Sequence, residues 1–164
     1  MIFRCSVDSP VGRLHLAASD VALTELLFEN HREEVDGASQ FIPAPTESNE
    51  VLEIVSTQLA EYFAGERTEF SVQVQPGGTE FQVAVWTELQ KIPFGQTISY
   101  IELARRMGDE KKTRAVGLAN GKNPISIIIP CHRVIGANGH LVGYGGGIEN
   151  KRWLIDFEAT DRLF

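Results

Sequence analysis

Over the first thirty residues apolar and polar positions alternate. Ile2, Arg4 and Ser6 fall on one side of an extended chain, and Phe3, Cys5 and Val7 on the other. Ser9-Pro10-Val11-Gly12 supplies a turn, Leu14 and Leu16 resume the alternation, and Val21 to Phe28 reads as a third strand, so the pattern predicts an antiparallel meander. Residues 31–49 mix charge, Gly and two Pro and read as a loop. From Glu50 the period changes: Val51, Leu52, Val55, Leu59, Tyr62 and Phe63 keep helical spacing up to Gly65, a helix stop. The segment 70–74, FSVQV, is strand-like and ends in QPGG.

That Pro-Gly-Gly divides the chain into domains at 1–77 and 78–164. Immediately beyond it, Thr79 and Gln82 stand at capping-box spacing and open a helix with Phe81, Val85, Trp86 and Leu89 inward, closed by Pro93 and Gly95. Ser99 and Glu102 repeat the capping signal for a helix through Arg106. Gly108 with DEKK makes a turn, and a short helix runs from about Thr113 through Asn120. Two short helices across a tight, Gly-containing turn outline a helix-turn-helix. After GKNP come the apolar run ISIII, read as a buried extended segment, then PCHRV, a Gly-rich loop, and a closing helix with Trp153, Leu154 and Phe157 on one side. The class is therefore α/β in its α+β sense. A small N-terminal α/β domain carries the antiparallel sheet, and the C-terminal domain is mostly helical.

Charge sharpens this division. The net charge of −7 argues on average against a nucleic-acid partner, yet residues 1–77 hold 4 Lys/Arg against 13 Asp/Glu, and residues 78–164 hold 11 against 9. Between 105 and 122, six basic residues (Arg105, Arg106, Lys111, Lys112, Arg114, Lys122) stand against Asp109 and Glu110. A local basic stripe is what a phosphate backbone meets. No apolar run approaches the ~18 residues of a membrane span and no leader pattern opens the chain, which reads as soluble and cytoplasmic. Its two cysteines, Cys5 and Cys131, are too few for a disulfide framework and lack zinc-site spacing. Cys5, in a strand, is a small hydrophobe; His15, His31 and His140 are structural or solvated; Trp86 and Trp153 are core.

Cys131, His132 and Arg133 carry the candidate chemistry. A thiolate is the nucleophilic form of cysteine and needs a base or a positive neighbour. His132 is adjacent, and Glu158, in the last helix, is a candidate third group to orient it. Neighbours on an extended chain point to opposite faces, so contact between Cys131 and His132 requires a turn or a bridging water. Spacing alone leaves a chance Cys-His pair and a nucleophile equally open.

The segment IPCHRVIG, preceded by GKNPISIII and followed by GYGGG, resembles the active-site segment of the O6-alkylguanine-DNA alkyltransferases, also called methylated-DNA–protein-cysteine methyltransferases. The likeness extends through FQVAVWTELQKIPFGQTISYIELA, TRAVGLANGKNP and GYGGGIENKRWLIDFE, in that order, and is looser over residues 1–77. It implies an N-terminal α/β, ribonuclease H-like domain ahead of a DNA-binding and alkyl-transfer domain. It also implies an enzyme that takes the alkyl group of O6-alkylguanine, with O4-alkylthymine left open, onto Cys131 as a thioether, once and irreversibly. His132 would act through a water as base, Glu158 would orient it, Asn123 would buttress the turn, and Tyr100 would reach guanine N3. Arg114 would take the flipped base's place in the stack, on a helix whose Thr113, Ala115, Ala119, Gly121 and Lys122 face duplex DNA through the minor groove. Tyr100, Val134, Tyr144, Gly145 and Gly146 would form the alkylguanine pocket, with Gly145 standing where many relatives place Ser or Ala.

No cofactor is implied. Some relatives carry zinc ligands N-terminally, but with only Cys5, His15 and His31 there, no metal is expected. The expected partner is alkylated double-stranded DNA, bound by a monomer, with cooperative assembly open. A non-catalytic sensor of alkylated DNA is the alternative; family members of that type lack the acceptor cysteine, so Cys131 favours the enzyme. A cysteine hydrolase would leave the basic helix-turn-helix without a role.

Overall fold

The computed structural model describes residues 1–29, 49–139 and 147–159. Strands β1 (Phe3–Val7), β2 (Leu14–Ala18) and β3 (Leu23–Phe28) form an antiparallel sheet in the order β1-β2-β3, with Cys5 opposite Leu16 and Leu16 opposite Leu26. The third strand starts at Leu23 instead of Val21. Ser19 explains the difference: its hydroxyl accepts from the backbone N–H of Val21 and Ala22, closing a turn over those residues. Helix α1 (Glu50–Phe63) packs on this sheet, capped by Asn49, whose side chain accepts from Leu52 N. Leu52, Val55, Leu59 and Tyr62 form its buried stripe.

The FSVQV strand does not form as a strand. Only Val74 pairs, as a parallel bridge to Leu23, through Leu23 N to Gln73 O and Gln75 N to Leu23 O. In that parallel register residues 70–73 would lie beside 19–22, which form the Ser19 turn and offer no strand to pair with; further along β3 the chain from the other half pairs instead, Leu26 N donating to Pro124 O and Ser126 N to Leu26 O. The open edge of the N-terminal sheet is thus closed from two directions, and one partner belongs to the segment leading into PCHR.

Helix α2 (Glu80–Leu89) opens on the expected capping box, with both reciprocal bonds between Thr79 and Gln82 made, and buries Val85, Trp86 and Leu89 while Phe81 is half-buried. The two-residue strand β4 (Ile98–Ser99) leads into α3 (Tyr100–Arg106), capped by the Ser99 hydroxyl. A turn through Gly108, at φ 98°, and a 3-10 turn over Glu110–Lys112 lead to α4 (Thr113–Gly121), which packs against α2 and α3. This is the helix-turn-helix. Trp86 ties it to α2 by donating Nε1–H to Ala119 O at 2.8 Å.

A 3-10 turn at Cys131–Arg133 precedes β5 (Val134–Ile135), which pairs in parallel with β4, and α5 (Ile148–Ala159) closes the described chain. The core is continuous across both halves: Leu26, Phe28, Leu59 and Tyr62 lie in one cluster with Trp86, Leu89, Ile125, Ile129 and Leu154. No helix among the described residues is long and apolar enough to cross a membrane.

Candidate active site

The run before the reactive segment is buried, as its isoleucines require, but it is folded into turns and not extended. Ile128 N donates to Ser126 O and Ile129 N to Ile125 O, with Ile127 at φ 69°, a left-handed conformation costly for a β-branched residue. Asn123 holds the fold in place: Oδ1 accepts from Ile125 N at 2.9 Å and Nδ2 donates to Ile129 O at 2.8 Å. Cys131 N then donates to Ile129 O, and Arg133 N to Pro130 O, so Cys131, His132 and Arg133 form one turn of 3-10 helix. Asn120, on the buried face of α4, adds a bond from Nδ2 to Cys131 O at 3.3 Å. Adjacent Cys and His side chains therefore share a turn, and the alternation of an extended chain no longer separates them.

Glu158 is the hub beneath that turn. Its Oε2 accepts from His132 Nε2 at 2.9 Å, from Arg133 Nη2 at 2.9 Å and from the Tyr62 hydroxyl at 2.6 Å, while Oε1 accepts from Arg133 Nε at 2.8 Å. The third donor of Arg133, Nη1, goes to Ile92 O at 2.7 Å. His132 is wholly buried, and the Glu158 and Arg133 side chains are 3% and 8% exposed. Burial works to raise the Glu158 carboxyl, but His132 and Arg133 outweigh it and hold the group well below the usual carboxylate range. Burial lowers the His132 pKa, against the pull of Glu158. An ionised Glu158 beside a neutral His132 places the proton on Nε2, leaving the lone pair on Nδ1, which has no hydrogen-bond partner among the described residues.

Above the turn lie Tyr100 and Lys151. Lys151 sits on the buried face of α5 with Leu154 and Glu158, its ammonium 3.5 Å from the Tyr100 hydroxyl and 5.7 Å from the ring centroid. Burial pulls the Lys151 pKa down from 10.5 to about 8, opposed by the charge of Cys131. Burial raises the Tyr100 phenol, and Cys131 raises it further. The Tyr100 ring lies against α4 at Gly117, where a Cβ would stand 3.6 Å from it.

The structure thus brings Cys131, His132, Glu158, Asn123 and Tyr100 to one place, together with Arg133, singled out in the sequence without a role, and three residues the sequence did not single out for it: Tyr62, Asn120 and Lys151. The other predicted positions divide. On α4, Arg114, Ala115 and Lys122 are exposed and Thr113 and Gly121 half-buried, but Ala119, expected to face DNA, is 3% exposed and packs in the core. Helical geometry turns the 116, 119 and 120 positions inward when 114, 115 and 118 face out. Val134 is buried. Tyr144, Gly145 and Gly146 lie outside the described residues, as does His140. The basic stripe is also thinner than its count: all six residues are exposed, but Arg106 pairs with Glu102 at 3.0 Å and Arg105 with Glu110 at 2.9 Å, leaving Lys111, Lys112, Arg114 and Lys122 outside any ion pair among the described residues. No group of three His, Cys, Asp or Glu among the described residues is placed to hold a metal ion.

Comparisons with known proteins bear on this arrangement. Residues 80–160 match the family model of the 6-O-methylguanine DNA methyltransferase DNA binding domain, and residues 2–76 that of the 6-O-methylguanine DNA methyltransferase ribonuclease-like domain. A methylated-DNA–protein-cysteine methyltransferase of Mycobacterium leprae is 48% identical over 163 residues, 99% of this chain and 96% of that protein. One from Methanosarcina acetivorans is 43% identical over 153 residues, 93% of this chain and 96% of that protein. The crystal structure of Mycobacterium tuberculosis OGT in complex with DNA is similar with a TM-score of 0.80 and 44% identity, covering 96% of this chain and 92% of the other.

Proposed function

Because the chain belongs to the 6-O-methylguanine DNA methyltransferase family, we propose that it repairs DNA by taking the alkyl group of O6-alkylguanine onto Cys131, once per molecule. The observation that carries this reading is the buried turn in which Cys131 adjoins a neutral His132 anchored to Glu158. In the proposed step the Cys131 sulfur attacks the alkyl carbon, a C–S bond forms, the bond from that carbon to guanine O6 breaks, and the electron pair leaves on the base. The thiol proton passes through a water to His132 Nδ1. Tyr100 protonates the departing guanine at N3. The product is a thioether, and nothing in the turn offers a route back to the thiol.

The surroundings suit a charged sulfur. A Lys151 ammonium near Cys131 favours the thiolate, as a positive neighbour does for any cysteine nucleophile. Asn123 and Asn120 fasten the backbone on both sides of the sulfur, so its position is set before substrate arrives. O6 of a paired guanine is out of reach inside a duplex, and the proposal includes extrusion of the base, with Arg114 filling the gap and the base received by the pocket that includes Tyr100. Its outward place on α4 supports that role. The division at residue 77 is part of the same proposal and is supported by the two family models, which match on either side of it.

Intact-protein mass spectrometry after incubation with a duplex containing one O6-methylguanine tests the reading. We expect one methyl per protein, located on Cys131 and absent from Cys131→Ala, which still binds the duplex. An unmodified protein that binds the duplex would make it a sensor instead.

A further inference from the structure

We propose that Tyr62, carried by α1 of the N-terminal half, is a positioning residue for alkyl transfer: its hydroxyl holds the Glu158 oxygen to which His132 is bonded, so the site is incomplete without the N-terminal half. The inference rests on the alkyl-transfer reading above and extends it to a residue outside the helix-turn-helix domain. The contact spans 96 positions of sequence, is wholly buried and, at 2.6 Å, has the length of a hydroxyl donating to a carboxylate.

The geometry gives the bond a job that packing alone does not require. Tyr62 already fills its place as a ring, with Phe63, Phe70, Phe94 and Phe157 at centroid distances of 5.0 to 6.1 Å. Its hydroxyl is aimed at Oε2, which also accepts from His132 and from Arg133 Nη2, and not at Oε1, which accepts only from Arg133 Nε among the described residues. Arg133 alone neutralises Glu158. A neutral third donor draws electron density from Oε2 without adding charge, weakening the pull of the carboxylate on the His132 proton and fixing where Nε2–H must point. The carboxylate is then strong enough to choose the tautomer and too weak to favour the imidazolium, which cannot accept the thiol proton.

The groups that face His132 and Glu158 are Tyr62 from α1, Cys131 and Arg133 from the 3-10 turn, and Lys151 from α5. Tyr62→Phe retains the ring. Its single-turnover methyl transfer at saturating duplex should fall about tenfold at neutral pH, the scale of one hydrogen bond to a charged group, with duplex affinity unchanged. The acid limb of its rate profile should move to higher pH, because a more basic Glu158 raises the His132 pKa and the base is lost sooner as pH falls. Ring ¹⁵N shifts of His132 should show more imidazolium than wild type at the same pH. Should Tyr62→Phe not fold, 3-fluorotyrosine at position 62, a stronger donor of nearly the same size, must move the acid limb to lower pH.

Unchanged rate, limb and ring shifts in Tyr62→Phe would reduce Tyr62 to core packing and overturn the proposal. A wild-type protein that takes up no methyl would overturn the alkyl-transfer reading, and the ¹⁵N comparison would still decide whether Tyr62 sets the state of His132.

Discussion

Lys151 is wholly buried on a helix face where periodicity calls for an apolar residue, and this has a measurable consequence. Its pKa falls from 10.5 when unfolded to about 8 when folded, so between those values the unfolded chain binds more protons and stability rises with pH. Below pH 8 the folded protein bears the cost of a buried ammonium, of the order of 3 kcal/mol from a shift of that size. Lys151→Met removes the cost, and chemical denaturation of both proteins should show the wild type gaining on the variant from pH 8 to 10.5. Parallel curves would mean that Lys151 is not held in a depressed state. At this scale the sequence was partly legible. Cys131, His132 and Glu158 stood out because the motif set them in order. Arg133 stood out by its place beside them but without a role, and Lys151 did not stand out, since a basic side chain reads as solvated unless its buried partner, far away in sequence, is known. Tyr62 was legible as a ring in the α1 stripe, and its hydroxyl had no partner that spacing could name.

Helix α4 shows how an element narrows what composition suggests. The six basic residues around it formed one stripe in the sequence, but α3 supplies Glu102 to Arg106 and the turn supplies Glu110 to Arg105. Exposed pairs like these are worth little to stability, yet each carboxylate offsets the charge its cation presents to a phosphate. The salt dependence of duplex binding, near −0.9 per phosphate neutralised, should therefore correspond to about four contacts and not six. Substituting Lys122 or Arg114 by Ala should flatten the slope more than substituting Arg106, measured by titration at several salt concentrations; equal effects would count against the pairing. Two of the helices were readable at their starts because their caps are local: Thr79 and Ser99 each accept from the backbone three residues on. The strand expected at 70–74 failed for a non-local reason: the residues its parallel register would set it beside, 19–22, are taken up in the Ser19 turn.

For the molecule as a whole, the boundary at residue 77 marks a change in chain character more than a break in the core. Leu26 and Phe28 pack in the same cluster as Trp86, Ile129 and Leu154, and Tyr62 is tied to Glu158. Cores joined this way unfold together. We expect one thermal transition, with far-ultraviolet and near-ultraviolet circular dichroism coinciding; two separated transitions would show that the halves melt independently. The sequence announced two halves through charge and punctuation, and it concealed their union because contacts between distant segments leave no period in either one.

The closure of the β3 edge has a further consequence, for solubility. An uncovered strand edge is a template that any passing extended segment can extend, and folded proteins avoid leaving one open. Here the cover over Leu26 is the Pro124–Ser126 stretch that also leads into the reactive turn. Whatever loosens that turn uncovers the template, so damage to the site would register as a tendency of molecules to stick to one another.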